Sequence, residues 1–301
     1  MWLDISLTII VFLVMLILPP LLDGIERKIR AKIHSRVGPP SIMQTWYDIR
    51  KLFAKELVVT DTGYTMIFIA ILLFTTTVLT LFMLPTGYLT IFSRDNISLL
   101  FFSILILMLQ LIWIILSVAP GNPFSTIGVY REALLGMVNE LFFTLGLFTL
   151  MVYINGISFT HLTNINYSIT YVLIIILLAS CTYVSSGRIP FDIAEAEPEL
   201  ASGILIEFSG PLLGVVLYSN LIKRAMLYGL VANLIIIPVI SNLNVFLKVL
   251  LFFISLSIIW IIYGVISTLF ARSRIDLAPK TLFLFYLLMM IIIIITWLLR
   301  V

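Results

Sequence analysis

Long apolar runs separated by short polar loops are the dominant pattern along the chain. Each run holds about 20 residues, and a helix of that length, rising 1.5 Å per residue, crosses a hydrocarbon layer of about 30 Å. The pattern therefore predicts membrane-spanning helices. The predicted spans cover residues 7–22, 66–84, 99–118, 134–153, 169–184, 204–240, 245–270 and 282–299.

Composition supports the same fold class. Hydrophobic residues make up 61% of the 301 positions and charged residues only 11%, whereas a soluble domain carries about 25% charged residues. The first run follows Asp4 instead of a basic flank and lacks a small-residue cleavage site, so it is predicted to be a retained helix. We expect an all-α polytopic membrane protein of about eight transmembrane helices, with residues 1–301 in a single transmembrane domain.

The region 204–240 is ambiguous, because Lys223 and Arg224 could form a loop between two spans or lie within one long helix. With one crossing there, thirteen of the eighteen Lys and Arg residues fall on one side and three on the other. With two crossings the split is twelve against six. The positive-inside rule favours one crossing, hence eight spans in the cytoplasmic membrane, basic loops in the cytoplasm and both termini outside.

Few residues of this chain could hold a redox centre. Cys181 is the one cysteine, and His34 and His161 lie in different loops. An iron–sulfur cluster normally needs four thiolates, and a zinc site needs clustered Cys or His ligands. We also find no dinucleotide fingerprint, phosphate loop or nucleophilic triad. The sequence predicts no cofactor or metal in this chain, a lipid bilayer around it and no nucleic-acid partner.

A basic loop spans residues 26–56, where eight basic residues stand against three acids. The simplest interpretation is membrane orientation and attraction to anionic lipid, worth about 1 kcal/mol per basic residue near the surface. That interpretation does not explain the turn at residues 36–40 or the amphipathic stretch behind it. A stretch of this kind lies flat on a membrane or docks a partner. Its apolar residues at helical spacing are Trp46, Ile49, Leu52 and Phe53.

An acidic loop spans residues 188–203, and five of the fifteen acids fall between Asp192 and Glu207. Acids near a helix start can simply favour the helix dipole and solvate a loop. Pro198, however, suits the first turn of a helix. A helix starting there would place Glu199 and Glu207, eight residues apart, within about 80° on one face, with Gly203 between them.

Glu140 and Glu207 are predicted to lie at membrane depth, because both are flanked by apolar residues. An ionisable group there costs at least about 2.5 kcal/mol on insertion scales, so it is expected to face a polar interior or a water path. Burial favours the uncharged form of a carboxyl group, which lets such groups exchange protons near neutral pH. These two acids are the first candidates for a proton relay.

Several motif blocks resemble the signatures of the respiratory complex I subunit 1 superfamily. This superfamily includes the quinone-site subunit of NADH dehydrogenase and its counterparts in energy-converting membrane-bound nickel–iron hydrogenases. The span pattern agrees along almost the whole chain. The matching blocks are Glu26-Arg27-Lys28, Arg36-Val37-Gly38-Pro39, residues 188–197, residues 199–203 and Glu207-Phe208-Ser209-Gly210.

Three features resemble the hydrogenase branch more than the complex I branch. One is the stretch from Tyr47 to Glu56, and another is the loop of residues 122–128 that leads into Arg131-Glu132. The third is Pro40-Ser41 after the Gly-Pro turn, where complex I members usually carry a glycine. The resemblance therefore favours a ferredoxin-linked membrane-bound hydrogenase or a close relative.

The resemblance implies an anchor subunit that joins a soluble arm, with iron–sulfur and large catalytic subunits, to antiporter-like membrane subunits. Iron–sulfur clusters, and a nickel–iron centre in a hydrogenase, would lie in those partners. The second to sixth spans would form a five-helix core similar to half of an antiporter-type subunit. The implied relay residues are Glu140, Asp192, Glu195, Glu197, Glu199 and Glu207, and the implied docking residues are Arg27, Arg36, Arg188 and Asp192.

Two other functions stay open at this point. A quinone-reducing complex of the complex I type shares the same motifs. A stand-alone secondary transporter would also need buried acids, although transporters usually show internal repeats, and residues 1–150 do not correspond to residues 151–301. A transporter should purify alone, whereas an anchor should copurify with iron–sulfur proteins. The sequence does not identify the electron acceptor or the pumped ion.

Overall fold

Helices form the regular structure throughout the described part of the chain. The computed structural model describes residues 2–58, 63–86, 96–165, 167–193, 203–239 and 243–299. Two short 3₁₀ helices, Phe159–Asn164 and Gly203–Leu205, lie among the α-helices. The α-helices are α1 (Trp2–Ile33), α2 (Gln44–Phe53), α3 (Gly63–Met83), α4 (Ser98–Val118), α5 (Pro123–Tyr153), α6 (Ile169–Ser185), α7 (Gly210–Ile236), α8 (Val245–Leu269) and α9 (Ala278–Leu298).

The number of spanning helices agrees with the prediction. Within the described ranges, seven helices are long and apolar enough to cross a membrane, namely α1, α3, α4, α5, α7, α8 and α9. Helix α6 is also apolar but has only 17 residues, which is the lower limit of about 17 residues for a span. With α6 the count is eight. Helix α2, of ten residues, is the predicted amphipathic segment.

The ambiguous region 204–240 contains one long helix. Helix α7 runs without a break from Gly210 to Ile236, and Lys223 and Arg224 lie inside it. The one-crossing prediction is confirmed. The predicted helix start at Pro198 falls in residues 194–202, outside the described part of the chain.

The prediction of a continuous helix through Glu207 is, however, wrong. The 3₁₀ helix Gly203–Leu205 ends before Glu207, which lies in the turn that precedes α7. Proline at the first helical turn is indeed the start signal, because its missing N–H is no loss there. The proline that fills this role for α7 is Pro211, beside Gly210, whose φ is +49°.

Helix α7 is the centre of the bundle. It packs against α1, α2, α3, α6 and α8, and most of its side chains are buried. Helix α5 packs on the other side of the bundle against α4, α6 and α9. Apolar side chains on the outer faces of α4 and α9 are exposed, as expected for surfaces that meet lipid or other membrane subunits.

Three loop segments meet at one end of the bundle. The backbone N–H of Ser273 donates to the carbonyl of Pro190 at 3.0 Å. The Arg30 guanidinium donates to the Ser267 hydroxyl at 2.7 Å. The start of the basic loop, the start of the acidic loop and the segment after α8 therefore share an end, as the eight-span topology requires.

Candidate functional site

Glu140 is a buried carboxylate within α5, with only 7% of its surface exposed. Its Oε1 accepts a hydrogen bond from the Ser185 hydroxyl at 3.0 Å. Asn139 donates from Nδ2 to that same hydroxyl oxygen at 2.6 Å, which leaves the Ser185 proton to point at Glu140. The Oε2 of Glu140 has no hydrogen-bond partner among the described residues. A buried carboxylate oxygen without a partner is usually explained by a bound water molecule or by a functional role.

A polar cavity lies beside Glu140, between α5, α7 and the segment after α6. Its volume is about 50 Å³, and a water molecule needs only about 10–15 Å³. Ser185 lines the cavity and also donates to Glu140, so it connects the cavity to the buried carboxylate. The charged, amide and hydroxyl side chains around the cavity are those of Glu132, Ser185, Ser186, Asp192, Asn220, Lys223 and Arg224.

Lys223 and Glu132 are joined through a neutral side chain. The Lys223 ammonium donates to Oε1 of Gln110 at 3.1 Å. The Nε2 of the same Gln110 lies 3.3 Å from Oε1 of Glu132. A bridge of two hydrogen bonds thus links α7, α4 and α5 beside the cavity.

Glu207 does not lie within a spanning helix, where hydropathy predicts it. It is half-buried in the turn before α7, and its Oε1 accepts a hydrogen bond from Asn122 Nδ2 at 2.5 Å. Asn122 is also the N-cap of α5, since its side-chain oxygen accepts from the Phe124 N–H at 3.0 Å. Glu207 therefore meets the start of α5, far along that helix from Glu140.

Asp192 lines the polar cavity and forms an ion pair with Arg272 at 3.2 Å. Its side chain is 22% exposed, so it reaches both the cavity and the surface of this end of the bundle. The other three acids of the predicted path, Glu195, Glu197 and Glu199, lie outside the described residues.

Arg188 is buried inside the chain, which corrects its predicted role in docking. Its two terminal nitrogens donate to the two oxygens of Glu26 at 2.6 and 2.5 Å. Arg30 adds a third contact to Glu26, at 2.8 Å. The physical reason is an internal partner 162 residues away. A bidentate carboxylate satisfies the terminal N–H groups of the buried guanidinium.

The surroundings of Arg188 keep its guanidinium charged. Its central carbon lies 5.4 Å from the Tyr228 ring centroid and 5.8 Å from that of Trp260. Burial on its own would lower the pKa of Arg188, but Tyr228 and Glu26 outweigh that effect and raise the pKa above its ordinary value. On α8, Gly264 leaves room for Glu26, since a Cβ at that position would lie 2.6 Å from the Glu26 Cγ.

Arg27 and Arg36 lie at the surface, as predicted. The Arg27 guanidinium is 2.9 Å from Asp23 and 2.9 Å from Asp48, and its side chain is 44% exposed. Arg36 is exposed in the turn after α1. We call the exposed part of residues 27–56 the basic surface.

A second polar cavity, of about 140 Å³, lies beneath the basic surface. Asp23, Thr45 and Asp48 line it. Asn220 and Arg224 line both this cavity and the first one. Helix α7 therefore separates two neighbouring polar spaces at this end of the bundle.

Sequence reasoning missed four residues that surround Glu140, namely Gln110, Glu132, Ser185 and Lys223. The sequence raised Lys223 only in the question of one span or two, and the structure places it beside Gln110. The sequence did contain a signal for Glu132. It is eight residues before Glu140 on one helix, so the two side chains are separated by only about 80° around the helix axis.

No metal centre is found within the described ranges. They contain no group of three or more His, Cys, Asp or Glu side chains that could hold a metal ion. Cys181 is buried and not disulfide-bonded.

Known proteins resemble this chain along most of its length. A family model described as NADH dehydrogenase matches residues 5–298. Formate hydrogenlyase subunit 4 of Escherichia coli is 28% identical over 286 residues, which cover 89% of this chain and 91% of that protein. Hydrogenase-4 component C of the same organism is 32% identical over 265 residues, covering 81% of this chain and 83% of that protein.

A solved structure has the same fold. A chain of the membrane-bound sulfane sulfur reductase, an archaeal respiratory membrane complex, superposes with a TM-score of 0.81. The superposition covers 97% of this chain and 99% of that chain, at 22% sequence identity.

Proposed function

The chain belongs to the NADH dehydrogenase family, and on that premise we propose that it is the membrane anchor and proton-coupling subunit of a multisubunit, redox-driven ion pump. The hydrogenase-type names of two relatives that match more than four fifths of the chain support a ferredoxin-linked hydrogenase or a close relative. No catalytic redox step takes place in this chain. It moves protons while its partners move electrons.

One observation carries this proposal, namely the contact between the polar cavity and Glu140 through Ser185. A proton that enters the cavity near Asp192 or Glu132 can reach the carboxylate by way of water or the Ser185 hydroxyl. Glu140 holds the proton within the bundle and releases it toward the neighbouring antiporter-like subunits. The proposed acidic path also includes Glu195, Glu197 and Glu199, which fall outside the described residues, and Glu207, which contacts the N-cap residue of α5.

The basic surface and Asp192 would hold the soluble arm. Arg27 and Arg36 present exposed cations, and Asp192 is partly exposed at the same end. We assign this end to the cytoplasm and both termini to the outside of the cell membrane. The partners are iron–sulfur and large catalytic subunits, which carry iron–sulfur clusters and, in a hydrogenase, the nickel–iron centre.

The relay is tested in the whole complex in sealed vesicles. Ion uptake and redox turnover with an artificial donor are measured together for Glu140→Gln and Glu207→Gln. Glu140→Gln should keep turnover and lose uptake, because glutamine keeps the size of the side chain but cannot release a proton at neutral pH. Asp276→Asn is the matched control, since that carboxylate is 72% exposed. Normal uptake in Glu140→Gln at unchanged turnover would remove the relay role.

The anchor role is tested by charge reversal at this end of the bundle. Arg36→Glu and Asp192→Lys should weaken binding of the soluble arm. Each substitution reverses a charge, so a surface of the arm that is complementary to the native residue would meet a charge of its own sign. The arm should appear in the supernatant of washed membranes, most of all at low salt, where the repulsion is screened least, while Arg36→Lys retains it. An arm that stays bound in both reversal variants would show that these loops do not hold it. A stand-alone transporter would instead purify without any iron–sulfur protein.

Quinone reduction is a second candidate, and one observation favours it. An apolar cavity of about 590 Å³ opens between α2, α3 and α7, beside Trp46, Phe53 and Tyr218. Its volume falls in the usual range for ligand sites, about 300–1,000 Å³. If the complex reduces quinone there, Val215→Phe should raise the KM for quinone without releasing the arm. Turnover that does not depend on quinone and is unchanged in this variant would exclude the candidate.

A further inference from the structure

Gln110 lies between two carboxylates of α5. It is on α4, is only 7% exposed, and its carboxamide contacts Lys223 through Oε1 and Glu132 through Nε2. Gly136 is four residues after Glu132 and four before Glu140 on the same helix. A Cβ at Gly136 would lie 2.8 Å from Nε2 of Gln110. The missing side chain at Gly136 therefore makes room for the carboxamide at a level between the two acids.

The charges on either side fix how the carboxamide is oriented. An ammonium group can only donate hydrogen bonds, so it must face the carbonyl oxygen of Gln110. An ionised carboxylate can only accept, so it must face the amide nitrogen. Gln110 thus gives the Lys223 ammonium a neutral partner, although the cavity that Lys223 lines also contains the carboxylates of Glu132 and Asp192.

If Lys223 lost Gln110 as a partner, its ammonium group could move to the carboxylates of the cavity. Its side chain is a flexible four-carbon stem with a compact charge, and a carboxylate attracts it more strongly than a carboxamide does. Lys223 acts electrostatically on Glu140 in the present arrangement. The other titratable or charged groups that face Glu140 or the cavity beside it are Glu132, Cys181, Asp192, Arg224 and Tyr286.

We propose that Gln110 is a positioning residue of the relay: its carboxamide, packed against Gly136, holds the Lys223 ammonium near Glu140 and apart from the cavity carboxylates. This inference rests on the proposed relay function of Glu140. Gln110 carries no proton itself. It determines where the positive charge of Lys223 lies while Glu140 takes up and releases a proton.

A double-mutant cycle in the intact complex tests the inference. The pH profile of ion uptake per turnover is measured for Gln110→Met, Lys223→Met and the double variant. Each single variant should shift the profile in the same direction, because each removes the positive charge from its place beside Glu140. The double variant should shift no further than Lys223→Met alone, since Gln110 acts only through Lys223. Shifts that add in the double variant, or no shift in either single variant, would overturn the proposal.

Gly136→Ala provides an independent variant that leaves both polar residues in place. The new methyl group must displace the end of Gln110, while alanine favours the helix more than glycine does. It should reproduce the shift of Gln110→Met, and it keeps the proposal testable if Gln110→Met fails to assemble. Gly146→Ala is the matched control on α5, because its Cβ would meet only methyl groups of Leu177 and Leu178. Equal profiles for Gly136→Ala and wild type would also count against the proposal.

The outcome for the relay itself is read separately. If Glu140→Gln keeps full uptake, the relay function is wrong, and the cycle still measures whether Gln110 and Lys223 act as one unit. If Glu140→Gln loses uptake while the Gln110 and Lys223 shifts add, the relay stands and the positioning role fails.

Discussion

Two buried acids of this chain, Glu26 and Glu140, are held in opposite ways. Glu26 is 3% exposed and Glu140 is 7% exposed. Both oxygens of Glu26 face guanidinium groups of Arg30 and Arg188. Glu140 instead has a neutral hydroxyl at one oxygen and no partner at the other among the described residues.

This difference in partners shows which of the two buried acids is suited to exchange a proton. A carboxylate whose two oxygens are bound by two guanidinium groups has both oxygens engaged, so its contacts support the fold. A carboxylate held by Ser185 can bind or release a proton with little change in its partners. The Glu26 cluster is therefore structural and the Glu140 network is suited to proton transfer.

Removal of one partner from the Glu26 cluster should have the largest effect on stability. Arg188→Met leaves Glu26 buried with a single cation, and loss of one partner of a buried pair costs about 3–5 kcal/mol. The melting temperature of the purified complex should fall clearly. The double variant Glu26→Gln with Arg188→Met should recover much of this loss, because it removes the buried carboxylate together with its buried cation, and the remaining Arg30 is 36% exposed. A single variant as stable as wild type would show that the cluster does not support the fold.

Removal of one hydrogen bond from the Glu140 network should have a smaller effect. Ser185→Ala leaves Glu140 and Asn139 without their shared partner, at a cost of about 1–3 kcal/mol. Ion uptake per turnover should also fall, because the cavity loses its contact with Glu140. Ser255→Ala on α8 serves as the control, since that hydroxyl only donates to the Phe252 carbonyl of its own helix. Equal uptake in Ser185→Ala and Ser255→Ala would remove Ser185 from the path.

The exposed ion pair on the basic surface should contribute least. Asp48 and Arg27 are 2.9 Å apart, with side chains 45% and 44% exposed, and surface pairs contribute about 0.2–1 kcal/mol. Asp48→Asn should change the melting temperature only slightly, and less still at high salt, where exposed charges are screened. A loss as large as that in Arg188→Met would mean that surface pairing, and not burial, determines stability here.

Hydropathy predicted the spans, and it predicted that Glu140 is a buried acid within one of them, for the same physical reason. Lipid requires long apolar helices, and an acid inside such a run stands out against its neighbours. The same reasoning misplaced Glu207, because the residues around it are apolar although the chain there forms a 3₁₀ turn before α7. Hydropathy does not show where a helix starts.

Contacts between segments that are distant along the chain could not be predicted from the sequence. Gln110 meets Lys223 across 113 residues, and Arg188 meets Glu26 across 162 residues. Arg188 looked like a docking residue because its loop is polar, and only its contacts with Glu26 on α1 show that its partner is internal. The shared end of the three loops was predictable, because the distribution of Lys and Arg along the chain can be counted from the sequence.

Infrared difference spectroscopy of the complex, reduced minus oxidised, is the most direct test of the claim that Glu140 carries a proton during turnover. The account predicts a carboxyl C=O band that changes on reduction in wild type and is absent in Glu140→Gln. The band should persist in the double variant Glu26→Gln with Arg188→Gln, because both oxygens of Glu26 are bound by guanidinium groups and take no part in the proposed relay. The same band change in Glu140→Gln as in wild type would contradict the account.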